Sequence, residues 1–177
     1  TAVGDGDFRL CCAATNGKEY IEVISELEFT ASGLGKATLD PYSMVSACLH
    51  SDISNEAKLS FQGGVYILHG RNWIQFDNVD FGDYGSDEIT LPIFSFDSKL
   101  PIEIWEGNPD RDGELLLKTE YEHESHYNHY NSNTWKLPKR LRGLKTISIL
   151  TYTRISLQGF IFTQYEKAFQ VIPAIEN

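Results

Sequence analysis

The sequence predicts an all-β protein built as a β-sandwich or jelly roll. Apolar and polar residues alternate over long stretches, which is typical of antiparallel strands with one buried face. Turn residues recur at short intervals, and helical periodicity is almost absent. Eight or more short strands in a chain of 177 residues favour two packed sheets.

The predicted strands are separated by turns in which Gly, Asn, Asp and Pro supply the backbone angles that chain reversals need. The strands are expected at 20–30, 65–68, 73–79, 88–94, 102–105, 115–121, 146–152 and 158–162. In strand 102–105, a period of two places Ile102 and Ile104 on the core face. Glu103 and Trp105 then lie on the opposite face, so Trp105 is a candidate exposed aromatic residue.

Composition limits the classes of partner. Hydrophobic residues make up 41% of the chain and aromatic residues 12%, enough to bury a core. Asp and Glu number 25 against 15 Lys and Arg, a net charge of −10 that repels phosphate groups, so no nucleic acid partner is expected. No window approaches the roughly 18 to 20 apolar residues of a membrane helix, so no membrane partner is expected. Because it begins at Thr1, the chain is expected to be a fragment of a longer protein.

Two segments imitate metal motifs. His123, His126 and His129 have a spacing that suits a shared metal on a helix, but the Tyr, Asn and Ser residues around them favour a polar loop. The run 108–113 imitates the opening of a calcium loop, yet Thr119 stands where that loop has Glu, so a hairpin turn is favoured. No nucleophile or phosphate-loop motif is present, and no carboxylate pair is convincing, so the fragment is not expected to be an enzyme.

An aromatic and amide-rich segment at 127–135 is the strongest candidate for a binding loop. Sugars present apolar C–H faces ringed by hydroxyl groups, so their sites need flat aromatic rings together with amides and carboxylates. The segment offers both. The alternative is that Trp135 and one tyrosine anchor the loop to the core while Asn and Ser solvate it.

The order of motifs between about 41 and 162 resembles carbohydrate-binding module family 6. The matching pieces are a Gly-Gly turn and short strand, a Trp-containing strand, a middle strand with its Pro-Asp-Gly hairpin, a late aromatic loop, a Leu-x-Gly turn and a closing strand. They read GGVYIL at 63–68, RNWIQFD at 71–77, PIEIW at 101–105, NPDRDGELL at 108–116, YNHY at 127–130, LRG at 141–143 and QGFIF at 158–162. The resemblance covers about two thirds of the chain and implies a jelly roll of the galactose-binding-domain type.

The resemblance also implies where a sugar binds. Family members clamp a sugar between two aromatic rings beside an amide, and some have a second site on a concave face. By their positions in this sequence, the implied binding residues are Tyr127 and Tyr130 for the stacking ring, Tyr66 or His69 for the second aromatic position, Gln158 for the amide, and Trp105 with Glu103 for the second site. Trp73 corresponds to a packed family residue and is expected in the core.

The first 38 residues resemble the end of an immunoglobulin-like domain in glycoside hydrolase family 2 enzymes of the β-galactosidase type. This implies a tail of a preceding sandwich or N-terminal strands at 1–38, a binding module at 39–163, and a linker or start of another module at 164–177. The expected partners are oligo- or polysaccharides, galactoside-containing glycans among them, and neighbouring modules of the same polypeptide. A secreted or cell-surface bacterial location is implied as well.

The resemblance leaves two functions open and one cofactor unassigned. The first function is non-catalytic carbohydrate binding that targets a parent glycoside hydrolase to glycan. The alternative is a structural spacer between domains that has the same fold and binds no ligand. Family members often hold a structural calcium ion, for which Glu26, Glu28 and Asp40 are candidates, although none lies in a calcium motif.

Overall fold

The structure is a computed structural model that describes residues 2–12, 25–33, 35–55, 58–127 and 129–165. Its regular elements are almost entirely β-strands, as the sequence predicts. The first eight strands are β1 Ala2–Val3, β2 Gly6–Cys12, β3 Ser25–Ala31, β4 Thr38–Leu39, β5 Val45–Ser46, β6 Asp52–Ile53, β7 Lys58–Leu59 and β8 Val65–Ile67. The longer strands follow as β9 Asn72–Asp80, β10 Ser86–Phe94, β11 Lys99–Glu106, β12 Glu114–Glu122, β13 Asn131–Leu141, β14 Leu144–Thr151, β15 Ile155–Leu157 and β16 Gly159–Phe162. Short 3-10 turns lie at Ala47–Leu49 and Phe61–Gly63.

Two sheets face each other. In the first sheet the order is β1-β4-β9-β14-β11-β12, with β6 also paired to β9. In the second sheet the order is β5-β16-β10-β15-β8-β7, with β13 on the other side of β10. These strands pair antiparallel except for β4 and β9, which run parallel. The predicted β-sandwich is therefore confirmed.

The core lies between the sheets and follows from the alternation in the sequence. Ile102 and Ile104 of β11 are fully buried, as predicted, and belong to the same core cluster as Ile89 and Leu91 of the second sheet. Each fully buried aliphatic side chain contributes roughly 1.5 to 3 kcal/mol by leaving water. Among the described residues, no helix is long and apolar enough to cross a membrane.

The segment predicted as an aromatic loop at 127–135 is a strand from Asn131 onward, so this prediction is wrong for 131–135. Within β13, Asn131, Asn133 and Trp135 are half-buried while the residues between them are exposed. A period of two is therefore present, but amides occupy most of the inward positions, which concealed the strand. Trp135 packs against the core, so of the two readings of this residue the structure supports the anchor.

A two-stranded hairpin, β2–β3, lies beside the sandwich. Its two strands pair with each other over seven residue pairs, and the Phe8 and Phe29 rings stack at 5.4 Å. Leu10, Leu27 and Phe29 are exposed. The strand pair expected in the first 38 residues is present, and residues 20–24 of the predicted strand lie outside the described residues. That this segment belongs to a preceding domain stays a prediction.

Candidate functional site

Five aromatic rings cluster where β10 ends. We call Phe61, Phe94, Phe96, Tyr127 and Tyr130 the rim cluster. Phe94 is the last residue of β10 and is buried, whereas Phe61 lies in the 3-10 turn that precedes β8. Phe61 meets Phe94 edge to face, with ring centroids 5.7 Å apart. The cluster therefore joins three connecting segments, β7–β8, β10–β11 and β12–β13, to the end of a central strand.

Tyr127 and Phe96 are the outward rings of the rim cluster. Tyr127 is 79% exposed and Phe96 is 65% exposed. Both rings meet the buried Phe94 ring edge to face, at centroid distances of 6.3 Å for Tyr127 and 5.1 Å for Phe96. Two large exposed rings that pack on the same buried ring form an apolar surface of the kind that marks a binding site.

Hydrogen bonds attach the segment that carries Tyr127 to the end of β10 and the start of β13. The Ser125 hydroxyl donates to the Ser95 carbonyl at 2.6 Å, and the Asn131 amide donates to the Glu124 carbonyl at 3.2 Å. Both donors, Ser125 and Asn131, lie within four residues of Tyr127 in the sequence. They position the exposed ring without covering it.

Tyr130 is anchored. Its ring stacks on Phe61 with centroids 4.5 Å apart, and its hydroxyl donates to the Phe61 carbonyl at 3.0 Å. The same hydroxyl lies 2.7 Å from that of Ser156. A Cβ atom on Gly64 would lie 2.0 Å from the Tyr130 hydroxyl oxygen, so only glycine leaves room for this packing. Tyr130 is therefore a packed member of the rim cluster that holds Phe61 in place.

Tyr66 shares a face with the rim cluster, because Tyr66, Ser156 and Phe94 form one row across β8, β15 and β10. The Arg154 guanidinium covers the Tyr66 ring at 5.2 Å from its centroid. Gln158 lies half-buried between β15 and β16, where its backbone N–H donates to the Pro92 carbonyl at 3.1 Å. The structure thus brings Tyr127, Tyr130 and Tyr66 to one face of the second sheet, with Gln158 beside the central strand β10.

His69 lies apart from the stacked rings. It is exposed in the turn before β9, and its carbonyl accepts a hydrogen bond from the Asn72 side chain at 3.0 Å. Ring contacts and ion pairs of the described residues do not connect it to the rim cluster.

Trp105 lies on the other sheet, on the outer face of β11, as its strand position predicts. It is half-buried rather than exposed as predicted, and its indole N–H donates to Glu103 at 3.1 Å. Glu103 is only 4% exposed and also accepts from Lys118 at 2.9 Å and Tyr152 at 3.0 Å. Both oxygens of this carboxylate are therefore already bonded within the protein.

The pKa of the Glu103 carboxyl reflects two opposed effects. Burial raises this pKa, but the hydrogen bonds from Lys118, Tyr152 and Trp105 together with the charge of Lys118 outweigh burial, and the pKa lies below its ordinary value. Glu103 is therefore ionised at neutral pH and functions as an acceptor for its three donors, which is a structural arrangement.

The predicted hairpin turn at 108–113 folds over Trp73. The Trp73 indole donates to Asp110 at 2.7 Å, and Arg71 forms an ion pair with the same carboxylate. The hydrogen bond from Trp73, followed by that from Arg71, lowers the pKa of Asp110. Trp73 is buried, as predicted, but it lies on the outer face of the first sheet, opposite Ile74 and Phe76.

Within the described ranges, no group of three His, Cys, Asp or Glu side chains is placed to hold a metal ion. The Asp40 carboxylate instead accepts the Tyr42 backbone N–H at 3.0 Å. His126 and His129 lie with ring centroids 6.4 Å apart, without a third ligand. A structural calcium ion stays an expectation from the sequence.

Phe61, Phe94 and Phe96 are the members of the rim cluster that sequence reasoning missed. Phe96 lies two residues beyond the predicted end of strand 88–94, in a turn otherwise composed of Ser and Asp. A single large apolar residue in a polar turn is the signal that could have identified Phe96 as an exposed ring.

Comparisons with known proteins address the fold. No protein-family model and no curated protein matches the sequence. Solved structures do match: a family 6 carbohydrate-binding module from Clostridium stercorarium, in complex with cellobiose, has a TM-score of 0.62 at 18% identity over 72% of this chain and 98% of that one. A second family 6 module, from Clostridium cellulolyticum in complex with xylose, has a TM-score of 0.61 at 20% identity over 71% of this chain and 100% of that one.

The fold also occurs within a larger enzyme. A glycoside hydrolase family 43 arabinoxylan arabinofuranohydrolase from Bacillus subtilis, in complex with cellotetraose, matches at a TM-score of 0.59 and 17% identity. The match covers 86% of this chain and 33% of that one. These likenesses show that the chain has the β-sandwich fold of family 6 carbohydrate-binding modules.

Proposed function

We propose that this chain is a non-catalytic carbohydrate-binding module that stacks sugar rings on the rim cluster. The observation that carries the proposal is the pair of exposed rings, Phe96 and Tyr127. Both rings contact the buried Phe94 ring. An aromatic ring in water meets the apolar face of a pyranose at little conformational cost, because Phe94 and the 124–131 contacts already hold both rings.

The expected affinity is weak. Each stacked ring contributes about 0.5 to 1.5 kcal/mol beyond the area it buries, and a few hydrogen bonds to sugar hydroxyls add to this. A module of this kind therefore depends on linked copies or on its parent enzyme for avidity.

The ligand class is a neutral oligo- or polysaccharide. Support comes from two of the matched solved structures, which are complexes of family 6 modules with cellobiose and with xylose. The net charge of −10 disfavours acidic glycans. Galactoside-containing glycans are included in the proposal, as the resemblance to β-galactosidase-type enzymes implies.

A parent glycoside hydrolase and an extracellular bacterial location complete the proposal. The family 43 enzyme from Bacillus subtilis supports the first part, since the same fold covers a third of that chain. The rim cluster is favoured over the Trp105 face as the principal site, because the Glu103 carboxylate there is buried and both of its oxygens already accept hydrogen bonds from within the protein.

The Tyr127→Ala substitution tests the proposal. We expect retention on soluble glycans in affinity electrophoresis to be lost, with affinity reduced about tenfold or more, because the most exposed stacking ring is removed. The melting temperature should hardly change, since Tyr127 is 79% exposed. The matched control is Leu144→Ala, an exposed apolar residue at the start of β14, which should retain full binding. Retention of Tyr127→Ala equal to that of the control would falsify the role of this ring.

A structural spacer is the second candidate function, and the hairpin is the observation that favours it. Leu10, Leu27 and Phe29 are exposed on β2–β3, a surface suited to packing against a neighbouring module. A glycan array on which the folded chain binds nothing would decide for the spacer.

A further inference from the structure

A second aromatic cleft lies at the opposite end of β10 from the rim cluster. It has a volume of about 600 Å³ and is formed by the β9–β10 turn, the residue Tyr42 and the segment after β16. We call it the turn cleft; the residues used below are Tyr42, Phe81, Asp83, Tyr84, Gln164 and Tyr165. Because β10 runs from Ser86 to Phe94, the two sites are separated by roughly 26 Å of strand.

Intramolecular contacts fix the rings of the turn cleft. The Tyr42 hydroxyl donates to the Phe81 carbonyl at 2.7 Å. The Arg140 guanidinium lies 4.8 Å from the Tyr84 ring centroid and 4.7 Å from that of Tyr165, so one cation holds both rings. Rings that are held in place before a ligand arrives lose little side-chain entropy when it binds.

The backbone of the turn is fixed as well. Gly85 has a φ of 76°, and a Cβ atom there would lie 1.9 Å from the Leu141 carbonyl oxygen. The Phe81 backbone N–H donates to the Gly143 carbonyl at 3.0 Å, which joins this turn to the β13–β14 turn. The cleft is therefore a formed feature of the fold.

The chemistry of the lining suits a sugar. Tyr42, Tyr84 and Tyr165 supply flat apolar rings, and all three are half-buried. Asp83 and Gln164 are exposed and supply a carboxylate acceptor and an amide that both donates and accepts. Aromatic rings combined with a carboxylate and an amide are the groups that hold a pyranose face and its hydroxyls.

The charges around the cleft indicate a neutral ligand. Burial raises the pKa of the Tyr42 hydroxyl, and the negative charges of Asp40 and Asp80 raise it further, while Arg140 lowers it by less. Arg140 is engaged with the two tyrosine rings. A ligand that carries a carboxylate or sulfate would meet net repulsion here.

We propose that the turn cleft is a second saccharide site, which takes one pyranose unit of a neutral oligosaccharide independently of the rim cluster. The ligand class rests on the proposed function, whereas the location of the site is inferred from the geometry and lining of the turn cleft. Two sites at opposite ends of one module bind two glycan segments at once, so the chain gains avidity on a polymer.

The test is an amide-resolved NMR titration of the full chain with cellotetraose, xylotetraose and β-1,4-galactotetraose in turn. At least one sugar should shift the amide signals of 81–85 and 164–165. In the Phe96→Ala, Tyr127→Ala double variant these shifts should persist, whereas the sugar-induced shifts of amides near the rim cluster should be lost. In Tyr84→Ala the turn-cleft shifts should disappear, and the rim shifts should remain.

Because Tyr84→Ala also removes a ring from Arg140, Asp83→Ala serves as a milder variant at an exposed turn position, and Asp112→Ala in the 107–113 turn is its control. We expect Asp83→Ala to weaken binding at the turn cleft about tenfold or more and the control to leave it unchanged. Absence of shifts at 81–85 and 164–165 with all three sugars overturns this proposal. If only amide signals near the rim cluster shift, the proposed function stands and the second site is overturned. If only the signals of the turn cleft shift, the second site is supported and sugar binding at the rim cluster is contradicted.

Discussion

Glu103 illustrates how a buried carboxylate on the outer face of a sheet is stabilised. It lies in one row with Leu150, Trp73 and Lys118 across four strands of the first sheet. Taking a charge out of water is costly, and only a complete set of donors offsets that cost. Lys118, Tyr152 and Trp105 provide this set.

The lowered pKa of Glu103 makes stability depend on pH. A carboxylate whose pKa is lower in the folded state contributes stability above its unfolded pKa, and this contribution is lost as pH falls through the folded pKa. We expect the free energy of unfolding to decline below pH 4.5, the ordinary value for Glu. Glu103→Gln should flatten this decline and cost about 1 to 3 kcal/mol at neutral pH, as measured by urea unfolding.

Glu120→Gln is the matched control for that experiment. Glu120 forms an ion pair with Lys99, but its side chain is 60% exposed, so solvent screens the pair. Its unfolding curve should follow the wild-type curve at every pH. If Glu103→Gln gave the same curve as the wild type, the hydrogen-bonded carboxylate would not be a stabilising element.

Strand β13 is the element whose role differs most from its sequence pattern. It is an edge strand, since it pairs with β10 on one side, and Pro138 is exposed within it. Proline is tolerated in strands mainly at such edges, because it lacks the N–H that a neighbouring strand would use. The strand begins at Asn131, four residues after Tyr127 and one after Tyr130, so its pairing sets the position of both.

Trp135→Ala separates anchoring from binding within this element. Trp135 packs against the core from β13, so its loss should lower the free energy of unfolding by about 2 kcal/mol, which is roughly 4 to 8 °C in melting temperature. Glycan retention below the transition should match the wild type. Loss of retention with an unchanged melting temperature would instead place Trp135 in the binding surface.

At the scale of the whole molecule, the hairpin β2–β3 and the sandwich differ in how they are stabilised. The sandwich buries a continuous core, whereas β2 pairs with β3 alone among the described strands. An isolated two-stranded hairpin is marginally stable in water at best. The strands β1 and β4, on either side of the hairpin, pair with each other and join the first sheet.

Replacing residues 7–30 by Gly-Gly tests whether the hairpin is dispensable. Gly6 and Ala31 are paired partners, so a two-residue turn joins them without moving the sandwich. We expect the chemical-denaturation midpoint and glycan retention to change little. A chain that no longer folds would show that the hairpin is part of the core unit, and the predicted boundary at residue 38 would then be wrong.

The sequence by itself determined the sandwich and most of its long strands, because a period of two in apolar residues specifies which face of a strand is buried. The tertiary structure alone decided which aromatic rings stay in water. Tyr127 and Tyr130 are three residues apart with the same ring, yet one is exposed and the other stacks on Phe61, more than sixty residues away in the chain. Contacts between distant segments make that choice, and no local pattern encodes them.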